Sequence, residues 1–441
     1  MLLYCFRGIA NRDLTPETMA KLGGIAAAHF RAQGWGEISI AGDGRVSTSA
    51  LKSALIGGLL GGGLAVHDCG VLPSGTIAAW GKHTALPSAM VTASHNPPEW
   101  NGVQFMEADS HIWWPELEDQ AKALLDQPFA WPDWQQGGRL DRREDVLERY
   151  VEWVSELADP AGSLKVVLDP GGGVGHPAGQ MLLERLGMET VVINAEPDGL
   201  SRARPSEPRA EYLDDLRRAV LEHQADLGLA FDGDADRLAV LDERGNYVQP
   251  DYLIELLCRS QVPPGPCVLN AGVSLLTMSA LAKLGFEIAQ CRWGQTFLAA
   301  KMKEIGAVFS AEPDGHFAFP ALSLRGDGLA GGALLCSALT HDERPLSQII
   351  AEMPAINIVN VRVEWDDDLL TYADEVHALM EREYAEVTRE HDRLLIATDA
   401  DRKLVVRQSP FDSTLRMSAE SYGEVTVEQM LDQVRAIVLP Q

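Results

Sequence analysis

The chain has 441 residues, 46% of them apolar and 23% charged, and a formal net charge of −27 with a pI near 4.7. This balance is ordinary for a folded globular chain of about three domains. The acidic surplus excludes a general nucleic-acid binder and a protein held on anionic membranes, because both surfaces would repel it.

Six cysteines, none spaced as CxxC, exclude a disulfide scaffold and read as reduced and mostly buried. The longest charge-free apolar run, 54–66, is broken by glycines and falls short of the roughly 20 residues a membrane-spanning helix needs. The start, MLLYCFRG, lacks the basic and apolar regions of a secretion signal, so the expected location is the cytoplasm.

The first helix is predicted from Thr15, with Thr15 as cap and Pro16 at the first helical position. A strand over 37–43, a helix from about Ser49, a strand over 64–68, another helix and a strand over 88–93 follow. This alternation implies a mostly parallel sheet with helices on both faces. The stretch 111–138 reads as an irregular connector, and its tryptophans (Trp113, Trp114, Trp131 and Trp134) as packing residues. A charged helix over 141–157 restarts the pattern. It continues through strands at 164–170, 189–194 and 226–232, with a Gly171–Gly173 turn and a helix from Glu211.

A third round begins at Pro250 and ends with a strand over 307–312 and two helices. After Pro354 the alternation stops. INIVNVRVE, RLLIATD, KLVVR and TLRMSAE read as strands, and a last helix starts at Thr426 with Gln429 completing a capping box. The expected fold class is α/β: three similar α/β domains with mixed sheets (1–140, 141–249, 250–355) and an α+β domain (356–441).

Four segments could carry chemistry. Asp232, Asp234 and Asp236, at i, i+2 and i+4 after a predicted strand, can converge on one hard cation, which suits Mg2+. The EF-hand reading fails because Arg237 stands where that loop needs glycine and a strand follows in place of a helix. Ser94, in VTASHNP at a strand-to-loop corner, is either a turn cap or a hydroxyl nucleophile at the ligand-binding edge of a sheet. His95 beside it does not make a triad, since adjacent side chains seldom face each other. Glu312, Asp314 and His316, in SAEPDGH, form a capped surface turn or a grip on sugar hydroxyls. The run from Arg407 to Arg416 is a hairpin with exposed arginines or a phosphate pocket made of guanidinium forks and hydroxyls.

Together and in this order, the segments resemble the α-D-phosphohexomutase superfamily over nearly the whole chain. TASHNP is similar to its phosphoserine loop, DGDADR to its Mg2+ loop and AEPDGH to its GExSGH sugar loop. RQSPFDSTLR stands in the place of its RxSGTEPxxR phosphate loop, YCFRGIAN in that of its Y-D-I-R-G start, and AGDGRVSTSAL in that of its GxDxRxSS segment.

The resemblance implies four domains around a central cleft. It implies a mutase that exchanges 1-phospho and 6-phospho hexoses, of glucose or mannose type, through phosphorylated Ser94 and a sugar bisphosphate that serves as intermediate and activator. The alternatives are a mutase for an amino sugar or pentose phosphate, and a non-catalytic sugar-phosphate binder. Ser94, Asp232, Asp234 and Asp236 would hold Mg2+. Arg7, His95, Arg237 and His316 would act at the reacting group. Glu312, Asp314, His316, Arg407, Ser409, Ser413, Thr414 and Arg416 would bind substrate. The implied partner is a small phosphosugar, with no nucleic acid or membrane, and the chain would be a monomer or homodimer.

The departures concern sugar and distal phosphate. Gln104 occupies the place of a lysine that is a candidate general acid/base, and glutamine cannot exchange a proton near neutral pH. Ala311 and Asp314 replace Gly and Ser of the sugar loop, and Pro410-Phe411 replaces Gly-Thr, removing a backbone N–H and a hydroxyl.

Overall fold

The computed structural model describes residues 4–365, 367–390, 393–408 and 414–439. The predicted alternation folds into three α/β units and a different fourth one. In the first sheet the strand order is Val103–Met106, Ser88–Val91, Glu37–Gly42, Ala65–Val71, Leu140–Arg142. All neighbours are parallel except Val103–Met106, which runs antiparallel to Ser88–Val91. A division at residue 140 would therefore cut the last strand of this sheet. The second sheet has Glu189–Val192, Lys165–Asp169 and Leu227–Phe231 parallel, then Leu238–Asp242 and Tyr247–Val248 antiparallel. The third has Glu287–Cys291, Pro266–Asn270 and Phe309–Ala311 parallel and Phe317–Ala318 antiparallel. The fourth is wholly antiparallel: Ile358–Glu364, Thr414–Ser421, Arg402–Gln408, Leu394–Thr398, Glu386–Glu390.

Local signals set the helix ends. Thr15 accepts from Thr18 N at the start of Pro16–Ala32, with Pro16 in the first turn. Thr426 and Gln429 form the expected capping box of Val427–Val438. The stretch 111–138 is not wholly irregular: Pro115–Leu125 is a helix, with Pro115 in the first turn and Glu116 and Glu118 beside its N-terminus. Trp113 packs inside the first unit against Phe30 and Phe105, as expected, whereas Trp134 is 84% exposed.

Two features go beyond the separate repeats that the sequence suggests. The second and third units share one apolar core, in which Leu168 and Leu229 join Leu269, Phe309 and Leu335. Their shared wall is the helix Gly328–Leu339, almost entirely buried. The fourth sheet is fastened to the third unit by a buried polar knot. Glu420 accepts from Ser274 Oγ and from Leu275 N at the start of the helix Leu275–Lys283, and the ammonium of Lys403 donates to the Val273 carbonyl.

Asp327 marks a three-way junction behind these sheets. It caps Gly328–Leu339 by accepting from Ala330 N at 3.0 Å, and it accepts from Tyr150 Oη at 2.8 Å. A Cβ on Gly75 of the first unit would lie 2.4 Å from it.

Two adjacent glycines in the helix Thr48–Gly61 separate close packing from helix propensity. A Cβ on Gly58 would fall 1.9 Å from the Ala20 carbonyl oxygen, while one on Gly57 meets nothing within 4 Å. Denaturant titration is expected to show Gly58→Ala destabilised by about 1–3 kcal/mol and Gly57→Ala stabilised by roughly 0.5–1 kcal/mol.

Burial raises the Asp327 carboxyl to about 6. Between the unfolded value near 4 and this value the folded chain holds the extra proton, so Asp327 costs stability as pH rises across that window. Asp327→Asn removes the cost. Its melting temperature relative to the unsubstituted protein should climb from pH 4 to pH 6 and level off above; a constant difference would refute this.

Candidate active site

Ser94 lies just past the strand Ser88–Val91 with φ +50°, a left-handed conformation uncommon for serine. The loop holding it is shaped from outside. Arg45 donates to four carbonyls: Ser94 O at 2.6 Å, Asn96 O at 2.8 Å, Pro97 O at 2.6 Å and Trp100 O at 3.0 Å. Its Nε donates to Asp43 Oδ2 at 3.0 Å, and Asp43 also accepts from Thr48 and Thr92 hydroxyls. Thr92 Oγ1 in turn accepts from Ser94 N at 2.8 Å. A short antiparallel ribbon, Gly8–Ile9 with Trp100–Asn101, brings Arg7 to the loop, where its Nη1 donates to Asn96 Oδ1 at 2.8 Å.

Ser94 Oγ donates to Asp232 Oδ2 at 2.9 Å and lies 3.2 Å from His95 Nδ1. The expectation that these neighbours do not face each other is corrected. The left-handed backbone at Ser94 breaks the alternation that sends successive side chains to opposite faces of a strand. Burial, with Arg237 and Arg7 nearby, holds His95 well below the usual histidine range, so its imidazole is neutral.

Asp232, Asp234 and Asp236 are fully buried, with one carboxylate oxygen from each lying within 4.8 Å of the other two. Asp232 Oδ1 accepts from Asp236 N and Arg237 N. Ser74, at the start of the helix Ser74–Thr84, holds Asp234 twice: Oγ donates to Oδ2 at 2.6 Å and N donates to the carbonyl at 2.9 Å. Burial and then the neighbouring aspartates push Asp232 well above the ordinary carboxylate range and raise Asp234. Against burial, His316, Arg325 and Arg237 hold Asp236 well below it.

The donor set fits a hard divalent cation. Three carboxylates face one point, and Asp234 Oδ1 is buried without a hydrogen-bond partner among the described residues. Glu312, Asp314 and His316 form a second group of possible ligands. There, however, His316 Nδ1 already pairs with Asp314 Oδ1 at 2.8 Å and its Nε2 lies 3.3 Å from Asp236. Burial opposes the His316 charge, but Asp314 and Asp236 outweigh it and hold the imidazolium well above the usual range.

The acidic loop 232–237 and the loop 312–316 are joined through the backbone, Leu238 N donating to Gly315 O at 2.9 Å. Arg237 spans them, with Nη1 on Glu207 Oε1 at 2.9 Å and Nη2 3.4 Å from Asp314 Oδ2. Glu312 accepts from Asn270 Nδ2 at 3.0 Å, and burial followed by Asp314 raises it to about 7.

Ser94, His95, Arg7, the three aspartates, Arg237, Glu312, Asp314 and His316 thus form one site from three units. Arg407, Thr414 and Arg416 lie apart on the fourth sheet, and Ser409 and Ser413 lie outside the described residues. Arg407 and Arg416 are cross-strand partners, and so are Arg416 and Arg362, which places three arginines side by side on one face of the sheet. That face looks toward the third unit, since Arg407 stacks on the Trp293 ring at 4.4 Å.

Sequence reasoning missed Arg45, Asp43, Ser74, Arg325 and Arg362. AGDGRVSTSAL contains the first two but does not show that Arg45 binds carbonyls. Arg325 precedes a Gly-Asp-Gly that reads as a turn, although its charge within an apolar stretch is a signal.

The sequence models of phosphoglucomutase/phosphomannomutase α/β/α domains I, II and III match residues 4–127, 148–245 and 250–356. The chain is 32% identical over 440 residues, 98% of its length and 96% of the relative's, to the "Probable phosphoglucosamine mutase" of Methanopyrus kandleri. Its fold matches a phosphoglucomutase/phosphomannomutase family protein of Burkholderia thailandensis with a TM-score of 0.86, 24% identity and 99% and 96% of the two chains covered. It also matches, with a TM-score of 0.59, 15% identity and 82% and 91% covered, the Aspergillus fumigatus N-acetylphosphoglucosamine mutase in complex with GlcNAc-6P and magnesium. With three domain models matched in order and a relative aligned end to end, the chain belongs to the phosphoglucomutase/phosphomannomutase family, within the α-D-phosphohexomutase superfamily of intramolecular phosphotransferases.

Proposed function

We propose that this protein interconverts the 1- and 6-phosphates of an amino sugar of the glucosamine class, through phosphorylated Ser94 and a sugar bisphosphate. The observation that carries the reaction is Ser94 Oγ, presented by a fixed loop 2.9 Å from Asp232 within a buried carboxylate triad. The choice of an amino sugar over glucose or mannose rests on the Methanopyrus kandleri relative, which shares 32% of residues across 98% of this chain.

Asp232, Asp234, Asp236 and the Ser94 phosphate would hold magnesium, which neutralises charge on the transferring phosphoryl group. The sugar hydroxyl attacks phosphorus in line, its O–P bond forms and the Ser94 O–P bond breaks. Neutral His95, with Nδ1 3.2 Å from Oγ, takes the serine proton when Oγ accepts a phosphoryl group; when Ser94 is the donor, the proton lost by the sugar hydroxyl returns to the serine oxygen through solvent and His95. Arg237 and Arg7 lie beside the group in flight. Glu312 and Asp314 accept hydrogen bonds from sugar hydroxyls, and the imidazolium of His316 holds Asp314 and Asp236 in place. Arg407 and Arg416, with Thr414, Ser409 and Ser413, would grip the distal phosphate through charge-assisted hydrogen bonds. The bisphosphate then turns over, and Ser94 takes back the other phosphoryl group.

Phosphorus NMR tests this, using Mg2+, a trace of glucose 1,6-bisphosphate and the 1-phosphates of glucosamine, N-acetylglucosamine, glucose, mannose and ribose. Glucosamine 1-phosphate should convert fastest, and Ser94→Ala should abolish conversion; turnover by that variant would overturn the phosphoserine route. Faster conversion of glucose or mannose phosphate would overturn the amino-sugar choice. Arg407→Met should raise KM at least about tenfold with a smaller change in kcat, as expected for a lost charge-assisted phosphate contact.

A further inference from the structure

Among the buried cations that the mechanism above does not use, Arg325 is the one in contact with the acidic loop. Arg325, in the loop between Phe317–Ala318 and the helix Gly328–Leu339, has no exposed surface. Its Nη2 lies 3.0 Å from Asp236 Oδ2 and 3.6 Å from Asp234 Oδ2, while Nη1 donates to Gln104 Oε1. The Gln104 amide is itself anchored, with Nε2 3.4 Å from Cys5 Sγ. Gln295 Nε2 reaches the same Asp236 oxygen at 3.0 Å.

Burying a guanidinium costs several kcal/mol unless anions repay it, and apolar residues would fill the space more cheaply. The anions here are two of the three aspartates facing the cation position. Asp232 is left to Ser94 and to backbone N–H groups. Arg325 therefore acts on two of the carboxylates and spares the one that touches the nucleophile. It also ties together one strand of the first unit, the acidic loop of the second and a loop of the third.

We propose that Arg325, oriented by Gln104, is a positioning residue that fixes Asp234 and Asp236 and weakens the hold of the acidic loop on a divalent cation. Its role in phosphoryl transfer rests on the function proposed above, whereas its role in cation binding does not. A permanent positive charge hydrogen-bonded to Asp236 and 3.6 Å from Asp234 repels the incoming ion. In return it keeps both carboxylates aimed at a single point whether or not the ion is there.

Mn2+ alone, titrated into the full-length protein and followed by electron paramagnetic resonance, reads the first effect without any sugar. Arg325→Gln should bind Mn2+ about tenfold more tightly, the sign expected when a nearby like charge is removed. A merely loosened site would bind more weakly. With a converted phosphosugar, kcat should fall at least about 100-fold while KM stays within about threefold, the pattern of an interaction used in the transition state.

Gln104→Lys/Arg325→Gln returns a cation to the same contact from the other side and should bring Mn2+ affinity back toward the original value. Arg325→Lys keeps the charge but not the fork, so it should hold Mn2+ affinity and still lose kcat. These two variants decide the matter if Arg325→Gln lacks a cooperative thermal transition. Unchanged or weaker Mn2+ binding in folded Arg325→Gln, or no restoration in the double variant, overturns the proposal. A protein that converts no phosphosugar refutes the proposed function instead, and leaves the Mn2+ result standing.

Discussion

Three carboxylates cannot share one buried turn unless positive charge is brought to them, and the architecture around the site follows from that constraint. Asp232, Asp234 and Asp236 are withdrawn from water together. Withdrawing each charge from water costs several kcal/mol, and the mutual repulsion of the three adds to that cost. The compensating groups come from different parts of the chain. The N-terminus of the helix Ser74–Thr84 comes from the first unit, Arg237, whose charge acts on Asp232 and Asp236, from the second, and His316 and Arg325 from the third. Assembly of the units and solvation of the triad are therefore the same event. The shared core of the second and third units supplies the rigidity that holds the cations at these distances.

The same constraint explains the mixture of protonation tendencies around the site. Asp236, with three cations near it, is held low, while Asp232 and Asp234 are pushed up by burial and by each other. The cluster still carries a demand for positive charge next to Ser94. His95 and His316 lie within the same small volume and have opposite tendencies. His95 faces mainly arginines and burial; His316 faces two aspartates. Each imidazole is fixed by its neighbours, so the two are not interchangeable despite sharing a residue type.

Much of this was legible in the sequence wherever the signal was local. The caps at Thr15 and Thr426, the alternation of strands and helices and the aspartate triplet each depend on residues a few positions apart. The antiparallel strand Glu386–Glu390 was missed because EVTRE is polar and Glu386 and Thr388 are exposed at a sheet edge. The helix Pro115–Leu125 was missed because its Pro and flanking Trp residues read as breakers, although proline in the first turn is a start signal. Arg325 was out of reach for another reason. Its partners Asp236 and Gln104 lie 89 and 221 residues away, and no spacing rule links them. Gln104 did stand out as a departure from the family pattern, but only the fold shows which side chain answers it.

Arg45 reads the serine loop solely through main-chain oxygens, at Ser94, Asn96, Pro97 and Trp100. Every residue type offers the same oxygen. The outline of the loop is therefore set partly from another segment, alongside Pro97 and Pro98, whose rings fix their own φ. Glu99, exposed and adding only its main chain to this frame, is open to drift over evolutionary time, and to deliberate diversification, without loss of the frame that presents Ser94. New acceptor preferences could arise there while the reacting hydroxyl keeps its place.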